Sequence, residues 1–493
     1  MAQSFDLIEA SVAQIAAALA ARAVSSRELV TQYLARIEAY DQRGPGLNAI
    51  SVVNPDAAAE AEGLDRERRA GAMRGPLHGV PIIVKDNYET AGMQTAAGSA
   101  TLAGWIPPDD AALVKRLRAA GAIIVAKANM QEFAYGITTV GSLFGQTRNP
   151  YAPDRNPGGS SGGTGAAIAA NFAAIGMGSD TCGSIRIPAA HNCLAGIRAT
   201  QGLLSRAGIV PMSHTQDIGG PMGRGVADLA LVLDATAGYD PDDPQTAASV
   251  GNIPTSYGAA LQPDGLPKGL QGARIGLLTH LFGSEAEDDE VAAIVRAAGD
   301  DMRRLGAEIM EITIPGLAEL LLDPNAGHLV LIHDVKFDLD AYLASRPTAP
   351  VRSLDEALAS GRIHPEVEPN LRRSQAVRSR DTKEYWEHVA KRELLRQAVL
   401  QAMADHRLDA LAYPPIRRQA NRIGEHQSGT NCHLSANSGL PALVVPAGFT
   451  TDRMPVGVEL IGRAWNEALL LRLGYAYEQA TKHRRPPAST PPL

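Results

Sequence analysis

The chain has 493 residues, 45% of them apolar and 20% charged, and its 46 basic and 53 acidic side chains leave a formal charge of −7. This is the balance of a globular protein, and the length permits either about three domains or one core large enough to need no covalent staples. The three cysteines, Cys182, Cys193 and Cys432, form no CxxC and no paired Cys/His spacing, so a disulfide scaffold, an oxidising compartment and a zinc site all lack support.

No basic segment precedes the apolar stretch that follows MAQSFDLIEA, so no signal or transit peptide is read. No uncharged run reaches the roughly 18 residues of a membrane helix, and the acidic balance opposes a phosphate-tracking surface. The expected setting is cytoplasmic, without membrane or nucleic acid as partner. Residues 11–40 predict two peripheral helices, with Ile15 and Leu19, then Leu29, Tyr33 and Ile37, at helical spacing and Ser25 with Glu28 as a capping box. Residues 1–70 are taken as an N-terminal helical segment and 71–493 as the main domain. HGVPIIVKDN and GAIIVAKAN read as strands flanking the amphipathic DDAALVKRLRAAG, a βαβ pattern. After the Gly-rich stretch from Pro157 to Gly165, AAIAANFAAIGMG predicts one helix buried on all sides.

A polar connection over residues 236–271 leads into a second α/β block opening with ARIGLLT, strongly helical from Pro365 to His406. GLPALVVPAG and MPVGVELIG close the chain as strands before the helix EALLLRLGYAYEQA. The last residues, RRPPASTPPL, are expected to fray.

Three segments carry chemistry. Lys85 ends an apolar strand, where burial would lower its pKa and make it a base; alone it reads as a solvated strand end, since lysine is rarely buried. In Gly158–Gly163, GGSSGG lacks the lysine of a phosphate loop. It fits G-x-S-x-G formally, with Ser160 as nucleophile and His433 available later in the chain, and its bland alternative is a flexible connection. The third segment, GSDTCGSIRIP from Gly178, sets Ser184 in a tight turn whose N–H groups at Thr181, Cys182 and Gly183 form a candidate oxyanion hole. Asp180 and Arg186 would secure that turn as an ion pair, or form an ordinary surface pair contributing under about 1 kcal/mol.

Together these segments resemble the amidase signature family of serine hydrolases. The order and spacing match: 75 residues separate Lys85 from Ser160 (160 − 85) and 24 separate Ser160 from Ser184 (184 − 160). NMQEFAYG at Asn129, SRAGIVPMSHTQDIGGPM at Ser205 and the closing strands agree, so the likeness spans nearly the whole chain and is weakest over about 245–430, a variable helical insertion. The resemblance implies an α/β fold, one large mixed sheet surrounded by helices, and a Ser-cisSer-Lys triad. Ser184 would be the nucleophile, Ser160, after a cis peptide bond, the proton relay, and Lys85 the base, with no metal and no cofactor. Met130 and Tyr135 are named as pocket walls by position. Cys182 stands where the family usually has glycine; it would pack as a small apolar residue or present a thiol beside the oxyanion hole.

The implied activity is cleavage of a C–N bond in a small or aryl amide through an acyl-enzyme, with carbamates (urethanes) and esters as variants; homodimers are common in the family. The alternative within the family is the glutaminase component of a tRNA-dependent amidotransferase. That component usually has Gln where Ile187 stands, and SRAGIVPMSHTQD is closer to stand-alone amidases. A non-catalytic anion-binding module is the reading from another class.

Overall fold

The computed structural model describes residues 5–262, 269–322 and 328–493. Eleven strands form one mixed sheet: β1 (Ile50–Val53), β2 (Pro81–Lys85), β3 (Ile123–Ala128), β4 (Ile175–Asp180), β5 (Ala195–Arg198), β6 (Ile218–Gly223), β7 (Arg274–Leu278), β8 (Glu308–Ile312), β9 (Ala410–Tyr413), β10 (Ala442–Phe449) and β11 (Pro455–Ile461). Their order is β1-β3-β2-β4-β6-β5-β10-β11-β9-β7-β8. β2 runs parallel to both β3 and β4, β7 is parallel to β8 and β9, and the remaining pairs are antiparallel. The α/β class and the single large sheet expected from the resemblance are both present.

The βαβ reading holds: β2 and β3 flank the helix Ala112–Ala119. A strand covered on both faces reads as a continuous apolar run, and all five residues of β2 are buried. Alternation sends Ile82 and Val84 into one core cluster and Ile83 into the other, which also holds Ala166–Ala170 of the helix Gly162–Ala169. Lys85 therefore shares its face with Ile83 and points where the Gly-rich loop enters that helix. The two N-terminal helices, Val12–Ala20 and Ser26–Tyr40, carry the expected capping box at Ser25 and Glu28.

Four expectations are corrected. The buried helix over AAIAANFAAIGMG stops at Ala169, because Asn171 adopts φ 58°, and the text from Ile175 is β4. The N-terminal segment is not helical alone, since β1 pairs antiparallel with β3. The Pro-rich tail is packed: Arg36 donates to the carbonyls of Thr490 and Pro491 at 2.8 and 2.9 Å. The case against disulfides also fails, for Cys182 and Cys432 are joined across 250 residues with Cα atoms 5.2 Å apart. So wide a separation leaves no local spacing to read.

Candidate active site

The site forms where the C-terminal ends of β2 and β4 meet the loop before Gly162. Glycine is required there by contact: a Cβ on Gly163 would lie 2.1 Å from the Asn129 carbonyl oxygen. The peptide bond Gly159–Ser160 is cis, and the Ser160 carbonyl accepts from the Gln131 N–H at 3.0 Å.

Lys85 is fully buried, and its Nζ donates to Ser160 Oγ at 2.7 Å and to Ser179 Oγ at 2.9 Å. Asn87 Nδ2 donates to the same Ser179 hydroxyl at 3.0 Å. Among the described residues no carboxylate lies within ion-pair distance of Lys85. Burial pushes its ammonium down to about 7, and the more distant charges of Asp180 and Asp217 pull it back only in part. A lysine so placed exists partly as the free amine at neutral pH and can take a proton through Ser160. This pairing also removes His433 from the reading of Ser160 as a G-x-S-x-G nucleophile. His433 Nδ1 instead lies 3.3 Å from Cys182 Sγ.

Ser184 is buried in the turn that follows β4, and its carbonyl accepts from the Ser161 N–H at 3.3 Å. The expected Asp180–Arg186 pair is present at 3.1 Å, wholly buried and part of a larger network. Asp180 also pairs with Arg198 at 2.9 Å, Arg186 pairs with Glu459 at 2.8 Å, and Tyr413 donates to Glu459 at 2.6 Å. Burial opposes the Asp180 charge, but the two guanidiniums outweigh it and hold the carboxyl well below the usual range. That carboxylate accepts from the N–H groups of Gly183 at 2.8 Å and Ile185 at 3.1 Å. The Gly183 N–H, expected in the oxyanion hole, is thus committed to shaping the turn. Thr181 is fixed by its hydroxyl, which donates to Asp217 at 2.6 Å.

A cavity of about 100 Å³ opens against Ser179 and Thr181, lined also by Asn87, Ala134, Met212 and Asp217. Met130, expected as a pocket wall, is fully buried in an apolar cluster with Trp105 and Phe133, and Tyr135 packs at that cluster's edge. Ala134, beside them in sequence, faces the cavity instead. Ser179 and Asn87 are the polar residues that sequence reasoning passed over. Both stand inside the quoted motifs, next to Asp180 and two residues after Lys85.

The Amidase family profile matches residues 28–471. The glutaminase component (GatA) of the glutamyl-tRNA(Gln) amidotransferase from a Synechococcus strain is 38% identical over 489 residues, covering 95% of this chain and 91% of that protein. The solved peptide amidase from Stenotrophomonas maltophilia is 39% identical with a TM-score of 0.90, covering 97% of this chain and 98% of that one. The solved amidotransferase component of the same kind from Thermotoga maritima is 25% identical with a TM-score of 0.74, covering 96% and 95%. With the profile, the relatives and the sheet in agreement, the chain belongs to the amidase family and is an enzyme of amide C–N bonds.

Proposed function

We propose that the chain is a stand-alone hydrolase that cleaves small or aryl amides through an acyl-enzyme on Ser184, with carbamates and esters as further substrates. The observation that carries this is a fully buried lysine, free of any ion-pair partner among the described residues, donating at 2.7 Å to the hydroxyl of Ser160. In this reading neutral Lys85 takes the proton of Ser160 as Ser160 takes that of Ser184, and Ser184 Oγ attacks the carbonyl carbon. The negative oxygen that forms is met by N–H groups of the turn at Thr181 and Cys182. The proton returns through Ser160 to the leaving nitrogen, the C–N bond breaks, and water releases the acyl group by the same relay. These steps use no metal and no cofactor. A cytoplasmic setting and a homodimer are part of the reading, although the Cys182–Cys432 bond withdraws the support that cysteine count lent to the former. Among the described residues no helix is long and apolar enough to cross a membrane.

Ile187, where the amidotransferase component usually has Gln, and the greater structural likeness to a peptide amidase favour a stand-alone enzyme. The amidotransferase relatives favour a second reading, a glutaminase that works with protein partners and tRNA. One experiment separates them. A p-nitroanilide, a p-nitrophenyl ester and an aniline-releasing carbamate are compared between wild type and Ser184→Ala, and glutamine is tested beside them. Turnover of the amide or carbamate by the isolated chain, lost in the variant, is expected. Glutaminase activity that appears only with co-purified partner proteins would move the assignment to the second reading.

A further inference from the structure

The turn that carries Ser184 is tied to a distant part of the chain by a bond the chemistry above does not use. Cys182, two residues before Ser184, is bonded to Cys432, which immediately precedes the helix His433–Ser438. Cys432 lies flat against the turn: a Cβ on Gly183 would stand 2.6 Å from its Cβ, and Arg186 Nη2 donates to its carbonyl at 3.1 Å. Asp180 holds the N–H groups of Gly183 and Ile185, whereas the disulfide restrains Cys182 itself. The two sulfurs differ in access, Cys182 being part-exposed and Cys432 buried. His433 Nδ1, 3.3 Å from Cys182 Sγ, stands ready to hydrogen-bond a thiol or thiolate there.

We propose that Cys182–Cys432 is a thiol–disulfide modification site through which a dithiol reductant sets the rate of acylation at Ser184. This rests on the reading of Ser184 as nucleophile. A thiolate of the reductant attacks the accessible Cys182 sulfur, the S–S bond breaks, and Cys432 leaves as a thiolate. The reductant's second thiol then displaces Cys182, giving a cyclic disulfide of the reductant. Two electrons pass to the protein, and the two thiol protons end on Cys182 and Cys432. The reverse exchange with an oxidised dithiol restores the bond. Reduction untethers the peptide units expected to face the oxyanion, and a small displacement of such donors is costly in rate. Reduction therefore slows acylation, and oxidation restores it. In a reducing compartment a disulfide of this kind behaves as a sensor and not as a scaffold.

The test uses the full chain with Cys193→Ser, which removes the remaining thiol far from the turn, equilibrated in oxidised or reduced dithiothreitol. Alkylation and mass measurement count free thiols, and a fluorophosphonate reports the rate of labelling at Ser184 without need of a substrate. Two new thiols and a labelling rate at least about tenfold lower are expected on reduction, reversed on reoxidation. Adding Cys432→Ser should give the slow rate in both buffers. Equal labelling within about twofold in the two redox states, or free Cys182 and Cys432 thiols under oxidising conditions, overturns the proposal while leaving the nucleophile in place. No labelling of Ser184 in either state removes the nucleophile and this proposal with it.

Discussion

Lys85 and Lys127 lie at the ends of adjacent strands, both wholly buried. The parallel register pairs Lys85 with Ala128 and Val84 with Lys127, so the two ammonium groups emerge on opposite faces of the sheet. Lys127 has a carboxylate 3.6 Å away, that of Asp86, and donates to the Gln94 carbonyl at 3.0 Å. Burial pushes Lys127 down to about 8, and Asp86 resists the shift from close range. The Asp86 carboxyl is itself raised by burial and steadied by Lys127 and the N–H groups of Gly98 and Ala96. Lys85 has hydroxyls where Lys127 has a charge. Equal burial thus gives an ion pair on one face and a titratable amine on the other; what separates structure from chemistry is the partner, not the depth.

The largest effect should come from removing the amine that lacks a counter-ion. Lys85→Ala takes away base and acid together, and kcat/KM for an amide is expected to fall by about 10³ or more with the fold intact. Turnover within about tenfold of wild type would end the triad assignment. Lys127→Ala should do the reverse. It leaves Asp86 buried and unpaired, which costs about 3–5 kcal/mol of stability in denaturant unfolding, while activity per folded molecule stays within about tenfold. Adding Asp86→Ala should recover part of that loss, the signature of a coupled pair. Independent, additive losses would dissolve the contrast between the two lysines.

A third expectation concerns pH. The free amine of Lys85 is the working form in the proposed chemistry, and the protonated form dominates below about 7. The kcat/KM for an amide should therefore fall about tenfold per unit as pH drops below that value and level off above it. Lys127→Ala should keep the same profile. A flat profile through pH 6 would mean that Lys85 does not titrate in the rate-determining step.

Much of this was readable in the text of the chain. Ser25 with Glu28 marks a helix start, PIIVK marks a fully buried strand, and three motifs name the residues that the fold assembles around Lys85. What escaped depends on long-range contact. Cys182 and Cys432 carry no mutual spacing, and Arg36 reaches the carbonyl of Thr490 across 454 residues. The break after Ala169 lies within an alanine-rich run whose period fits helix or buried strand equally, and only the Asn171 backbone decides it. Met130 and Ala134 share one short segment, and its local turn sends one into the core and the other toward the cavity. Sequence order alone does not supply that turn.

The smallest expected effect is the finest test of the contrast. Ser179 Oγ accepts from both Lys85 and Asn87, so it favours the charged form of the lysine without carrying a charge of its own. Ser179→Ala removes that acceptor. The charged form then loses a hydrogen bond that the neutral amine needs less, so the pKa of Lys85 should fall and the midpoint of the pH–rate profile should move below its wild-type position by up to about one unit. Above that midpoint the rate should change by less than about tenfold, because Ser160 still bridges to Ser184. A midpoint that moves upward would mean that Ser179 holds the amine neutral, and the difference between the two lysines would then lie in how their hydroxyl partners are oriented rather than in the carboxylate beside Lys127.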